Sequence, residues 1–323
     1  MLDRVVGLLA VVPFTLGFAA APAAPVGNEV FRFQDPEIIE ASGLVTQDGL
    51  FLTTNDSGDT GRVFVVAPDE GGTIGVTRWA DEPTDVEALA PAGSSQVWVG
   101  DIGDNGATRD AVQVAKVQVG RGERTVEPTT YDLVYPGGPR DAETLLVDPR
   151  SGRLLVVSKA VFGGSFYLAP ETLSETAPNT VRAIGDALPI ATDGAFFTDG
   201  KHVIVRNYTS AAVYTYPGLD EIATFRLPAQ QQGESIAVDD LDHVFVTSEG
   251  VNQAVLKVTL PAAVRRAITP ASPSPAPSSD ASLSDGESDT EVSTGTRDRW
   301  PWWLGGIGGV AIVLVLLRAL RPR

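Results

Sequence analysis

The chain has no cysteine among its 323 residues, two histidines and one methionine, and its 41 acidic side chains outnumber 24 basic ones for a net charge of −17. Without cysteine there is no disulfide framework, thiolate nucleophile, iron–sulfur cluster or Cys-ligated zinc. Two histidines leave little room for a His-rich metal centre or a set of His acid–base dyads. A surplus of acid argues against a nucleic-acid surface, which needs clustered Lys and Arg to displace counterions from phosphate. Residues 28–264 also lack any apolar stripe of helical period longer than two turns. Any chemistry left to such a chain rests on oxygen ligands.

The ends carry targeting signals. Residues 1–24 read as a secretory signal, with Arg4 as the positive start, an apolar run from Val5 to Phe18 and a small-residue stretch from Ala19 to Ala24. Residues 300–318 read as a transmembrane helix, opened by Trp300, Trp302 and Trp303 and followed by a basic tail, 319–323. Residues 267–299 are rich in Pro, Ser, Thr and acid and have too few apolar groups to offset the entropy of ordering, which predicts a disordered stalk. Together these segments predict a single-pass protein of the cell membrane. Its ectodomain, 25–266, would be extracellular and its C-terminus cytoplasmic.

The ectodomain repeats itself. A small or acidic marker opens a short apolar strand, a turn follows, and a second strand ends in a polar residue 13 to 15 positions after the marker. The five copies run from Ser42 to Asn55, Glu87 to Asp101, Glu143 to Ser158, Asp193 to Asn207 and Glu234 to Ser248. Two further strands follow each copy, except that the last has only Ala254–Leu260 and needs Glu29–Phe33 from the start of the chain. Four-stranded units at intervals of 41 to 56 residues predict an all-β propeller of five blades, with six as the alternative, closed by the N-terminal strand.

In a propeller the first strands line the axis, so the markers and the polar ends of the second strands should meet at one mouth. That places Glu87, Glu143, Asp193 and Glu234, with Asp101 and Asn55, as candidate metal ligands. Hard oxygen donors suit Ca²⁺, the expected cofactor, rather than zinc or copper. The alternative for each acid is a channel cap that accepts backbone N–H groups or pairs with Arg140, Lys159 or Arg206. The Asp101 loop is not an EF-hand, since Gly103 and Val112 stand where ligands are needed. His202 and His243 precede second strands and belong at the opposite face, and there is no Gly-x-Ser-x-Gly elbow. Gly120 to Arg124 reads as a solvated turn, and Phe162 stands out as an aromatic in a loop at the mouth.

The runs Asp101-Ile-Gly-Asp-Asn105, Arg109-Asp110, Tyr135-Pro-Gly-Gly, Asp141-Ala-Glu143-Thr-Leu-Leu-Val-Asp148-Pro and Val157-Ser-Lys159 resemble a family of secreted or membrane-anchored bacterial propeller proteins over residues 30–250. More distantly, the Glu-small-apolar strand openings are similar to those of β-propeller phytases and gluconolactonase-type propellers. That resemblance implies a divalent ion in the channel mouth and hydrolysis of phosphoesters or lactones. Two functions follow. The first is a surface-anchored module that binds a ligand or protein partner, with divalent metal at the mouth. The alternative is a calcium-dependent hydrolase, with Glu87, Glu143, Glu234 and Asp101 as its candidate catalytic carboxylates.

Overall fold

The computed structural model describes residues 27–56 and 58–269. All fall in the first of two compact units, 1–271 and 272–323. The expected signal segment, the stalk beyond 269, the helix at 300–318 and the tail at 319–323 lie outside the described residues. Among the described residues no helix is long and apolar enough to cross a membrane.

Strand β1 (Asn28–Arg32) precedes the first blade, formed by β2 (Ala41–Gln47), β3 (Leu50–Asn55), β4 (Arg62–Val66) and β5 (Thr73–Arg78). The second comprises β6 (Val86–Pro91), β7 (Gln96–Asp101) and β8 (Val112–Gln118), then, after β9 (Gly122–Thr125), β10 (Thr129–Val134). In the third are β11 (Ala142–Val147), β12 (Leu154–Ser158), β13 (Gly164–Leu168) and, after β14 (Asn179–Thr180), β15 (Arg182–Ala187). The fourth is β16 (Asp193–Phe196), β17 (His202–Arg206), β18 (Ser210–Thr215) and β19 (Glu221–Arg226). The fifth is β20 (Gly233–Val238), β21 (Val244–Ser248) and β22 (Ala254–Val258), with β1 as its outer strand. The innermost strands β2, β6, β11, β16 and β20 neighbour one another in a closed ring. Five blades and closure by the first strand match the repeat; no sixth sheet forms among the described residues.

The strands are apolar on both faces because each blade is packed between two others. In β12, Leu155 and Val157 fill the interface with the fourth blade while Leu154 and Val156 fill that with the second. Successive side chains point to opposite faces, so the run Leu-Leu-Val-Val supplies two cores at once. All five interfaces are built this way. At the β2–β3 turn Asp48 and Gly49 both take positive φ, 52° and 73°, as a two-residue hairpin of primed type requires.

Three features depart from the sequence reading. Residues 120–124 are not simply a solvated turn: β9 adds to the edge of the first blade, parallel to β5, before the chain returns to its own blade. Likewise β14 pairs with β10 of the second blade before β15 joins the third. Each excursion stitches a blade to its predecessor through backbone hydrogen bonds, which a repeat pattern does not encode. Finally, α1 (Ala262–Ile268) follows the last strand and buries Val264 and Ile268 against the fourth and fifth blades. Seven residues are too few for a helical period to stand out.

Candidate functional site

The top face is the end at which first strands begin and second strands stop. Pairing sets Ala41 opposite Asn55, Val86 opposite Asp101, Ala142 opposite Ser158, Asp193 opposite Arg206 and Gly233 opposite Ser248. In four blades the marker sits in a β-bulge: Ser42, Glu87, Glu143 and Glu234 each occupy a shift in register. A bulge re-aims its side chain out of the alternation, and here all four are buried at the channel mouth.

The five markers behave differently. Ser42 donates to the Glu87 carboxylate at 3.1 Å and to the Glu87 carbonyl at 3.2 Å, bridging first and second blades. Glu87 has its pKa raised strongly, first by burial and then by the charges of Glu143, Asp56 and Asp85. Oε1 of Glu143 pairs with Lys159, which also hydrogen-bonds Tyr208. Burial still raises Glu143 above the usual carboxylate range, against the pull of Lys159. Glu234 is pushed up to about 8 by burial and by Glu143 and Glu249. Asp193 is fully buried and accepts from Gly194 N–H at 2.7 Å and from Ile236 N–H of the fifth blade at 2.8 Å. It therefore caps the junction between two blades, the alternative that sequence offered for any one acid.

The second tier is also taken up by backbone. Asn55 Oδ1 accepts from Ile39 and Glu40 N–H at 3.0 and 3.2 Å. Asp101 accepts from Thr84 and Asp85 N–H, both at 2.9 Å, and pairs with Arg109 at 2.8 Å. Each side chain thus fixes the loop that leads into its own blade. Ser158 Oγ accepts from Ser165 N–H at 3.0 Å, Asn207 Oδ1 from Thr209 and Ser210 N–H, and Ser248 is buried at the end of β21. Of the six residues expected as metal ligands, Glu87, Glu143 and Glu234 line the mouth with their carboxylates, whereas Asn55, Asp101 and Asp193 hold main chain.

Other groups complete the mouth. Main-chain bonds join the residue two before the marker to the one after the polar end: Asp56 N–H to Glu40 O, Lys159 N–H to Asp141 O, and Glu249 N–H to Gln232 O. These positions contribute Glu40, Asp85, Asp141 and Gln232 on one side, and Asp56, Lys159, Tyr208 and Glu249 on the other. Asp56 and Asp85 come within 4.8 Å of Glu87, ligand atom to ligand atom. In the repeat both stand at fixed places, Asp85 two before its marker and Asp56 one after its polar end.

Below the mouth Arg206 is completely buried. It donates to the carbonyls of Asn207, Tyr208, Ser235 and Thr247 and to Gln230 Oε1, at 3.0 to 3.4 Å. Ser235 lies in the bulge of β20, where the ladder is interrupted and the guanidinium takes over. A Cβ on Gly233 would strike the Arg206 guanidinium, so the residue there must be glycine.

His202 and His243 lie at the opposite end, each hydrogen-bonded to an aspartate of its own turn, Asp199 at 2.7 Å and Asp239 at 2.9 Å. Below the charged tiers, the axis widens into a cavity of about 190 Å³ lined by Leu44, Leu89, Leu145 and Phe196, with Asp239 and Asp240 at its lower rim. Phe166 and Phe197 are buried between blades, whereas Phe162 and its neighbour Val161 are 100% and 69% exposed on a top loop.

No family model and no curated protein sequence matches the chain. Among solved structures it is similar to two glucose dehydrogenases at 12% identity, over 73% of this chain and all of theirs, with TM-scores of 0.46 and 0.47. It is similar to the glutaminyl cyclase of Myxococcus xanthus at 11% identity, over 74% of this chain and all of that one, with a TM-score of 0.47. These neighbours are β-propeller enzymes. At such scores and identities they say nothing of what this chain does.

Proposed function

We propose that this protein is a surface-displayed binding module whose recognition face is the acid-rich top of the propeller. One observation carries the reading: eight carboxylates from four blades (Glu40, Asp56, Asp85, Glu87, Asp141, Glu143, Glu234 and Glu249) converge where the half-buried Lys159 is already paired with Glu143. Such a field favours a positively charged ligand group or a metal ion, and disfavours anions. The exposed pair Val161–Phe162 beside the mouth adds apolar contact area of the kind that anchors partners.

The path of the chain fits display. Register puts Asn28 against Lys257 and Val244 against Val258, so both ends of the described chain lie on the face away from the mouth. The expected stalk, 267–299, whose first two residues belong to α1, would leave from that face, and membrane anchoring through residues 300–318 would leave the mouth free for a partner. The hydrolase alternative has less support. Both histidines are at the wrong end, and Asp101, one of its candidate carboxylates, is tied to main chain and Arg109.

Two measurements test the reading. A lysine-rich peptide titrated into the full-length chain should bind in a salt-dependent way, and Glu40→Lys with Glu249→Lys should abolish that binding. Affinity indifferent to salt and to both reversals overturns the assigned face. Antibodies against the propeller should label intact cells; labelling only after permeabilisation overturns surface display.

A further inference from the structure

The opposite end of the propeller carries a different chemistry. There the inner strands present apolar side chains to the axis, and Leu44, Leu89, Leu145, Val147 and Phe196 wall a well of about 190 Å³. A dry apolar cavity of about 150 Å³ is known to take a molecule the size of benzene. The well therefore has room for one ring or a short branched chain.

Thr46, Asp239 and Asp240 stand at the rim of the well and also line a second cavity. This one is a groove of about 420 Å³ between the β2–β3 turn and the β20–β21 turn, so well and groove meet at those three residues. Leu50, Phe51, Pro68 and Phe245 supply the apolar wall of the groove, with Val30 of β1 beside them, 41% exposed. Among the described residues no basic side chain lines either cavity.

The polar groups at the junction are acceptors, and they differ in how far they are satisfied. Asp239 is taken up by its own turn: it accepts from Leu241 and His243 N–H at 2.9 and 2.8 Å and is hydrogen-bonded to the His243 ring. The Thr46 hydroxyl donates to the Val238 carbonyl at 2.9 Å. Asp48 and Asp240 are exposed, and among the described residues neither has a hydrogen bond or an ion pair. Gln47, on the wall of the same groove, has its amide oxygen buried without a hydrogen-bond partner. Leaving a buried acceptor without a donor is costly, and such an atom on a cavity wall marks where a ligand would donate.

We propose that this lower opening binds a primary amine that carries one ring or a short chain. The apolar body occupies the well, and the ammonium sits at the junction of well and groove, where Asp240, Asp48 and the Gln47 amide oxygen accept its protons. An ammonium has three donors and no acceptor, which suits a rim of acceptors. A carboxylate ligand of the same shape is repelled, and a quaternary ammonium offers Gln47 no N–H. The site lies on the face away from the acidic mouth and does not depend on the role assigned to that mouth.

Calorimetric titration of phenethylammonium chloride into the full-length chain tests it. One saturable site per chain is expected. Val147→Phe, which fills the well, should abolish binding, and Asp240→Asn should weaken it about 2- to 5-fold. Phenethyl alcohol should bind more weakly than the amine and be indifferent to Asp240→Asn, and hydrocinnamate should not bind. Melting curves of each variant confirm folding; if Val147→Phe does not fold, Ala195→Leu, on the same wall, carries the test. Absence of saturable binding to the wild type overturns the proposal, as does binding that survives a folded filling variant. Alcohol bound as tightly as the amine would leave an apolar well with no cation site and overturn it as well. The reversals at the mouth, Glu40→Lys with Glu249→Lys, should leave the amine bound; its loss there would place it on the other face and refute the assignment.

Discussion

Replacing Arg206 by methionine sets two large effects against each other. The guanidinium is fully buried and, among the described residues, makes no ion-pair contact; burial pulls its pKa down to about 10 against the opposing charges of Glu234 and Asp193. At about 1.4 kcal/mol per pH unit, that depression from 12.5 represents a net penalty on the buried charge of about 3 kcal/mol, which Arg206→Met would recover. Methionine also preserves most of the apolar volume. Against this, five acceptor oxygens lose their donor. Two of these acceptors, the Ser235 and Thr247 carbonyls, are buried and the other three half-buried; at about 2 kcal/mol for each buried acceptor and roughly 0.5 for each half-buried one, the loss is about 5 kcal/mol and the net loss about 2. For a unit of this size each kcal/mol lowers the melting temperature by about 2–4 °C, so a fall of about 4–8 °C is expected in a calorimetric or circular-dichroism melt. Arg206→Lys should be worse, since it keeps a desolvated cation and gives up the planar fork that reaches five oxygens. A methionine variant as stable as the wild type, or a lysine variant more stable than the methionine one, would refute the reasoning.

Other perturbations have equally definite outcomes. Gly233→Ala drives a methyl into the same guanidinium and should destabilise by roughly 1–3 kcal/mol; the loss should shrink in an Arg206→Met background. Glu234 is raised by burial from 4.5 to about 8, so folding favours its protonated form. Its stabilising contribution is complete below pH 4.5 and is lost as pH rises through 8. Chelator-treated protein should therefore melt lower at pH 9 than at pH 6, and Glu234→Gln should flatten that slope; a slope that is unchanged in the variant contradicts the assignment. Gly75→Ala brings a methyl to 3.0 Å from Arg121 Cα and closer to the Gly120 carbonyl. It should loosen β9 from β5, read as faster amide exchange at residues 122–125. Phe162→Ser touches no packed group, so the melting temperature should hold within the effect of about 0.5 kcal/mol usual for surface changes. Partner binding should weaken nonetheless.

Much of the architecture was legible because a propeller repeats one local problem five times. Strands such as Leu154–Ser158 must be apolar on both faces, and turns such as Asp48-Gly49 must admit positive φ, so period and punctuation expose the blades. The mouth was legible in outline for the same reason, since the register assigns every marker to one end. What each marker does was not legible. Asp193, Glu143 and Glu234 are alike in sequence position, yet one accepts two amides, one pairs with Lys159, and one meets Glu249. Those differences come from partners beyond the local repeat pattern: Lys159 and Glu249 on the loops that leave the same blade, and Ile236 on the next blade, 43 residues from Asp193.

The shortage of cysteine, histidine and positive charge restricted the chemistry to oxygen donors, and the repeat by itself determined a ring of blades with those donors at one end. Both are properties of composition and local period, which act without regard to distant contacts. Only the tertiary structure decided which acids bind main chain and which face one another. It also decided that β9 and β14 cross between blades and that Arg206 lies buried with main-chain carbonyls, rather than a carboxylate, around its guanidinium. The physical reason is the same in each case. Desolvation, bulge geometry and the few ångströms between groups on separate blades set those roles, and none of the three is a function of spacing along the chain.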